Sequence, residues 1–174
     1  MTMTPAEVVE SLRRNPRIGP QVVEGLYLEP SGSRFGDLDP PLDPALVEAL
    51  HQLGVPRLWQ HQVEGLGAVR RAENLLVTTP TASGKSLVFH LPVLEEALAG
   101  GPGRALFLYP LKALGQDQRA KFQQLAEASG LAEAARCEIY DGDTPQARRK
   151  EIKQNLPRVL VSNPDMLHLS LIHI

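Results

Sequence analysis

In TTPTASGKS, residues 78–86, a glycine, a lysine and a serine close a run of small residues. If a helix opens at Gly84-Lys85-Ser86, the backbone N–H groups of the loop and of that helix converge on phosphate oxygens, and the helix dipole adds a favourable potential. Gly84 allows close backbone approach, Lys85 would set its ammonium on the β/γ-phosphates, and the Ser86 hydroxyl would complete a Mg²⁺ shell. Thr79, Pro80, Thr81, Ala82, Ser83 and Leu87 supply the rest of the cradle, and Lys85 and Ser86 carry the chemistry. The competing reading is a loop that merely joins a strand to a helix, because GKS is common by itself. Thr79 also stands where the general pattern has its first glycine.

A phosphate loop needs a buried strand before it and a helix after it. Four short apolar runs, ENLLVTT, RALFLY, CEIYD and RVLVS, are each about as long as a strand and are bounded by Gly, Pro or polar residues. Residues 85–99, 111–129 and 145–155 have helical composition and alternate with these runs. Strands this evenly apolar suit a parallel sheet covered by crossover helices, so the predicted class is α/β, doubly wound. The first strand, Leu75 to Thr79, is expected to lead into the loop. Upstream, PALVEALHQLG reads as a helix with Asp43 as N-cap and Gly54 as C-cap, followed by a helix from about Trp59 to Arg71. Residues 1–15 read as a short amphipathic helix ended by Pro16, and 16–44 are rich in turn formers.

Three later stretches follow the later strands, at the carboxyl ends where open α/β sheets place their ligands. In YPLKALGQDQ, loop N–H groups and Pro110, Lys112, Gln116 and Gln118 are positioned to hold a nucleic-acid backbone without reading its sequence. YDGDT brings Gly142 and Asp143 to the same edge, and SNPDMLH brings Ser162 and Asn163 with a helix N-terminus beginning near Pro164. TPQARRKEIKQNLPR carries five basic residues against one acid, which a solvated helix face explains as well as nucleic acid does.

TPTASGKS resembles motif I of the superfamily 2 helicases, whose loop accepts small residues other than glycine at its first and fourth positions, so Thr79 and Ala82 fit. YPLKAL with DQ resembles motif Ia, and SNPDML resembles motif Ib. LWQHQVEGL resembles the Q-motif, with Gln62 standing 23 residues before Lys85. The resemblance makes Gln62 the reader of the adenine edge, a task to which an amide with both donor and acceptor is suited. It covers about residues 38–168 and is strongest for DEAD/DEAH-like DNA helicases that carry a cysteine cluster in a separate C-terminal region. It implies a P-loop NTPase of RecA-like fold, ATP and Mg²⁺ as cofactors, and 3′ to 5′ translocation on single-stranded DNA in DNA repair or maintenance. RNA stays open, because backbone contacts do not show whether a 2′-OH is read.

The resemblance also marks what the 174 residues lack. No Asp-Glu-x-His motif is present to hold Mg²⁺ and orient water, and no second RecA-like domain brings arginine fingers. The RecA-like domain is therefore expected to be incomplete at its C-terminus and to turn over little or no ATP. LSLIHI, residues 169–174, is what CTG TCT CTT ATA CAC ATC encodes, a transposon end used as a library adapter, so it reads as a non-native tail. The expected organisation is an arm at 1–37, the partial domain at 38–168 and that tail. Two other readings stand beside the helicase fragment: a naturally truncated nucleotide- and nucleic-acid-binding module, and a P-loop ATPase that does not use nucleic acid.

Composition sets the outer limits. A hydrophobic fraction of 43% with 22% charged residues is that of an ordinary globular chain, and no apolar run approaches the ~20 residues of a membrane span. The N-terminus lacks the apolar stretch of a secretory signal, so a cytoplasmic location is expected; a monomer is expected as well. A net charge of -2 excludes a strongly basic surface overall without excluding a local patch. Cys137, the only cysteine, can form neither an intrachain disulfide nor a cysteine zinc cluster, and its apolar run marks it as core.

Overall fold

Apolar runs separated by polar helices fold as alternating strands and helices in the computed structural model, which describes residues 4–22, 32, 34–80 and 82–172. In chain order the elements are α1 (Pro5–Arg14), a 3-10 turn (Gly19–Gln21), α2 (Pro44–Gln52), α3 (Gln60–Arg70), α4 (Leu87–Leu98), β1 (Ala105–Leu108), α5 (Lys112–Ala128), β2 (Cys137–Ile139), α6 (Gln146–Gln154), β3 (Val159–Ser162) and α7 (Pro164–Ile172). They fall into two compact units, Met1–Ser33 and Arg34–Ile174. In the first unit, Thr4 caps α1 by a reciprocal pair of bonds with Glu7, and none of the helix's residues is buried. Part of the turn-rich stretch 16–44, namely 23–31 and 33, lies outside the described residues, as do Thr81 and the last two residues of the tail.

The second unit is built on a parallel sheet of order β1-β3-β2. The central β3 pairs Val159 with both Ala105 and Cys137, and Val161 with both Phe107 and Ile139. Phe107, Phe122, Leu125, Leu91, Leu94, Val159 and Val161 belong to one buried cluster that joins β1 and β3 to α4 and α5. Each such side chain contributes roughly 1.5–3 kcal/mol by leaving water. Cys137 is buried in the same cluster, as its sequence context predicts. Burial holds its thiol up at about 12, so it stays protonated and inert.

One expected strand does not form. Residues 73–80 form neither strand nor helix, and Leu75 and Leu76 are 43% and 86% exposed. A strand buried on both faces needs a neighbour on each side to take its N–H and C=O groups. The described residues supply none, so the sheet has three strands where four are expected.

What places the residues after this segment is instead the pair α3 and α4. Arg70 forms an ion pair with Glu95 at 2.5 Å, linking the two helices. Gly65 lets them approach, since a Cβ there would stand 2.6 Å from Val88 Cγ1. Asp43 caps α2 through its carboxylate, which accepts from the Ala45 N–H at 2.8 Å.

Candidate functional site: a phosphate loop and a strand-end cluster

The loop at 79–86 turns on two residues with positive φ, Ala82 at 60° and Gly84 at 74°. Glycine adopts that conformation freely, whereas alanine pays roughly 1–2 kcal/mol, so strain is stored at Ala82 within the candidate site. α4 opens directly after Ser86, and the first N–H groups of a helix have no partner within it. Here the N–H groups of Leu87, Val88 and Phe89 already donate to the carbonyls of Gly84, Lys85 and Ser86 at 3.2, 3.0 and 3.2 Å, so among the described residues the backbone donors left for a phosphate are those of Gly84, Lys85 and Ser86. A cavity of about 540 Å³ borders it, lined by residues 82–87 together with Leu50, Leu53, His90, Gln118 and Lys121.

The side chains of the loop are held internally. Lys85 Nζ donates to the carbonyls of Thr79 and Pro80 at 2.7 and 2.6 Å, and the Thr79 and Ser83 hydroxyls bond each other at 2.6 Å. The lysine's partners are neutral, so its charge is solvated by carbonyl oxygens without being cancelled. Ser86 Oγ donates to Gln118 Oε1 at 2.6 Å. These groups fit a nucleotide and its cation: an unneutralised ammonium, a hydroxyl with free lone pairs, and the N–H groups of Gly84, Lys85 and Ser86 just before the helix. Thr81, part of the predicted cradle, lies outside the described residues.

Gln62 is placed against the loop in an unforeseen way. It is 1% exposed, its Oε1 accepts the Trp59 N–H at 2.9 Å, and its Nε2 donates to Gly84 O at 2.9 Å. The space at Gly84 serves this contact, since a Cβ there would lie 2.5 Å from Gln62 Nε2. An adenine contact by Gln62 would use its second N–H and second lone pair, or replace one of these bonds. The neighbouring His61 Nε2 bonds Ser83 O at 3.0 Å, so the first turn of α3 clamps two successive loop carbonyls. Sequence reading missed His61. Trp59 stacks on Phe35 with centroids 4.8 Å apart, which makes it a packing residue here.

At the carboxyl ends of the strands, Lys112, Ser162 and Asn163 line one small pocket together with Asp141. Lys112 Nζ donates to Asp143 Oδ2 at 2.7 Å, an exposed ion pair that raises the lysine's pKa by that hydrogen bond. Gly142 stands beside it, 3.7 Å from Lys112 Nζ measured from where a Cβ would be. Ser162 and Asn163 are buried, and their groups are largely engaged: the Ser162 hydroxyl donates to Tyr140 O at 2.6 Å, and Asn163 Oδ1 accepts the Met166 N–H at 2.8 Å in the first turn of α7. Only the Asn163 amide N–H groups remain as donors. Pro110 and Gln116 are exposed at the same end.

Two residues outside the predicted set shape this cluster. Asp141 Oδ1 accepts from the N–H groups of Asp143 and Thr144 at 3.0 and 3.1 Å, which folds the 140–144 loop. Arg149 donates to the carbonyls of Thr144, Asp141 and Gly142 at 2.9, 2.8 and 3.2 Å. The basic run on α6 is thus partly structural. Gln118, predicted to join Lys112 and Gln116, does not: it is 8% exposed and turned to the phosphate loop.

Comparison with known proteins supplies the family. A family model described as DEAD/DEAH box helicase matches residues 59–173. The chain is 32% identical over 166 residues to an uncharacterized ATP-dependent helicase, YprA, of Bacillus subtilis, covering 95% of this chain and 21% of that one. It is 30% identical over 156 residues to the ATP-dependent helicase hrq1 of Schizosaccharomyces pombe, covering 88% and 15%. The crystal structure of the DUF1998 helicase MrfA bound to DNA and AMPPNP matches with a TM-score of 0.78 at 30% identity, over 95% of this chain and 22% of that one. The chain thus spans 15% to 22% of the length of these relatives.

Proposed function

The chain belongs to the DEAD/DEAH box helicase family, and on that footing we propose that it is the ATP- and nucleic-acid-binding part of a 3′ to 5′ DNA helicase. ATP·Mg²⁺ binds at the loop of residues 79–87, with Lys85 on the phosphates, Ser86 toward the cation and Gln62 toward the adenine. Single-stranded DNA lies across Pro110, Lys112, Gln116, Gly142, Asp143, Ser162 and Asn163. The observation that carries this reading is the loop itself, a helix start with an unneutralised lysine beside a cavity of about 540 Å³. Bound ATP·Mg²⁺ would supply the phosphoanhydride whose cleavage drives translocation. What these residues do is hold its charge, orient it by backbone donors and fix the base.

The 174 residues contain no Asp-Glu pair, and no cluster of His, Cys, Asp or Glu suited to a metal occurs among the described residues. We accordingly expect the chain to bind and not to turn over. No helix among the described residues is long and apolar enough to cross a membrane.

The test is titration of a fluorescent ATP analogue with Mg²⁺, and of labelled single-stranded DNA and RNA, into the chain and its Lys85→Ala variant. Nucleotide binding that depends on Lys85 and a preference for DNA are expected. Binding indifferent to Lys85 would sink the nucleotide site. A steady Lys85-dependent ATPase rate would contradict the absence of turnover.

A further inference from the structure

Helix α5 has two working faces. Lys112 and Gln116 are four residues apart, share one face and are exposed at the strand ends. At 100° per residue, Gln118 is turned 200° from Gln116, onto the face that carries the buried Phe122 and Leu125. On that face its amide oxygen takes the Ser86 proton at 2.6 Å, across 32 residues of sequence. Its amide nitrogen makes a weaker contact, 3.2 Å to Asp117 Oδ2.

A hydroxyl that donates its only proton in one direction turns its lone pairs in the others. Ser86 is therefore oriented by Gln118 in the way a metal ligand is oriented by a partner behind it. Coordination to a cation makes the hydroxyl a stronger donor, so it should tighten the bond to Gln118 rather than replace it. Because Gln118 is fixed on α5, tightening that bond also steadies the helix that presents Lys112 and Gln116.

We propose that Gln118 is a positioning residue: it orients Ser86 for the nucleotide's cation and, through α5, couples cation-nucleotide binding to the hold on single-stranded nucleic acid. The coupling is positive and reciprocal, since each ligand orders the same helix. This rests on the functional reading above.

Three forms of the full 174-residue chain decide it: unaltered, Gln118→Met, which keeps volume and removes the acceptor, and Gln118→Glu, which keeps an acceptor. Affinity for an ATP analogue is measured with Mg²⁺ and with EDTA, and single-strand affinity with and without Mg²⁺-nucleotide. In Gln118→Met the affinity measured with Mg²⁺ should fall about 10-fold or more, as for other partners behind metal ligands, while the EDTA value is unchanged. Single-strand binding should be tightened roughly 5-fold by Mg²⁺-nucleotide in the unaltered chain, at the lower end of typical couplings, and not at all in Gln118→Met. Gln118→Glu should restore both. Equal losses with Mg²⁺ and EDTA would reduce Gln118 to a packing residue and overturn the proposal, as would a Gln118→Met chain that behaves like the unaltered one. If the unaltered chain binds no nucleotide in either medium, the functional reading falls and this inference with it. If it binds nucleotide with no response to Mg²⁺, only this inference falls.

Discussion

Two lysines, one in the phosphate loop and one at the strand ends, are held in opposite ways. Lys85 rests on the carbonyls of Thr79 and Pro80, whereas Lys112 rests on the carboxylate of Asp143. A carbonyl solvates an ammonium without cancelling its charge; a carboxylate cancels it. The phosphate loop therefore offers a full positive charge to an incoming polyphosphate. The strand-end cluster offers a neutral pair, and a strand held there as proposed would first have to displace Asp143 with its phosphate. Under the proposed function, the first arrangement suits tight nucleotide binding and the second a weak, exchangeable backbone contact.

The largest effects should come from breaking the loop side of this contrast. Gly84→Ala forces a Cβ to within 2.5 Å of Gln62 Nε2 and holds alanine at φ 74°. The backbone term costs roughly 1–2 kcal/mol before the collision is counted. Thermal melting should show that loss, and nucleotide binding should fall with it, because the α3 clamp on the loop is wedged open. Lys85→Ala should behave differently: unchanged melting, with nucleotide affinity reduced by at least about 10-fold, the scale of a hydrogen bond to a charged group. If both variants lost stability equally, the lysine would be a structural bond and its charge would have no special role.

Acid should undermine the ground under both regions at once. His90 lies one turn below Ser86, 2% exposed, stacked among Phe89, Phe107 and Phe122, and its Nε2 has no hydrogen-bond partner. Burial, with a smaller contribution from the charge of Lys121, lowers its pKa from 6.5 to about 4. The unfolded chain thus binds the proton more readily, and stability should be complete above pH 6.5 and fall as the pH drops from there toward 4. The loss is on the order of 3 kcal/mol at the acid end. Urea midpoints between pH 7 and pH 4 measure it. In His90→Leu that part of the slope should vanish, and a slope that persists would place the titration on the carboxylates instead.

Sequence legibility followed how local each determinant is. RALFLY, CEIYD and RVLVS became strands and PALVEALHQ became a capped helix, because apolar runs and caps act over a few residues. ENLLVTT has the same composition and formed no strand, because pairing depends on what stands beside it in space. The phosphate loop was legible as a motif; its internal partners were not, since His61 and Gln62 reach it from 22 residues away. Gln118 was assigned to the wrong face, although the helical period alone separates it from Gln116. Lys112 and Asp143 lie 31 residues apart, so the neutrality of the strand-end cluster was beyond any local reading.

That neutrality can be tested by removing either charge. In Asp143→Asn, Lys112 loses the partner that raises its pKa but stays protonated at neutral pH, and its charge is freed for a phosphate. Single-strand affinity should rise by a few-fold, consistent with the worth of about 0–1 kcal/mol typical of an exposed pair. The dependence of log affinity on log salt should steepen by about 0.7, as for one additional phosphate contact to a single strand. Lys112→Ala should weaken binding, because it leaves the Asp143 carboxylate uncompensated beside the phosphates, and the double variant, neutral again, should return binding toward that of the unaltered chain. If Asp143→Asn weakened binding instead, Asp143 would be a folding element of the 140–144 loop, and the contrast between the two lysines would rest on Lys85 alone.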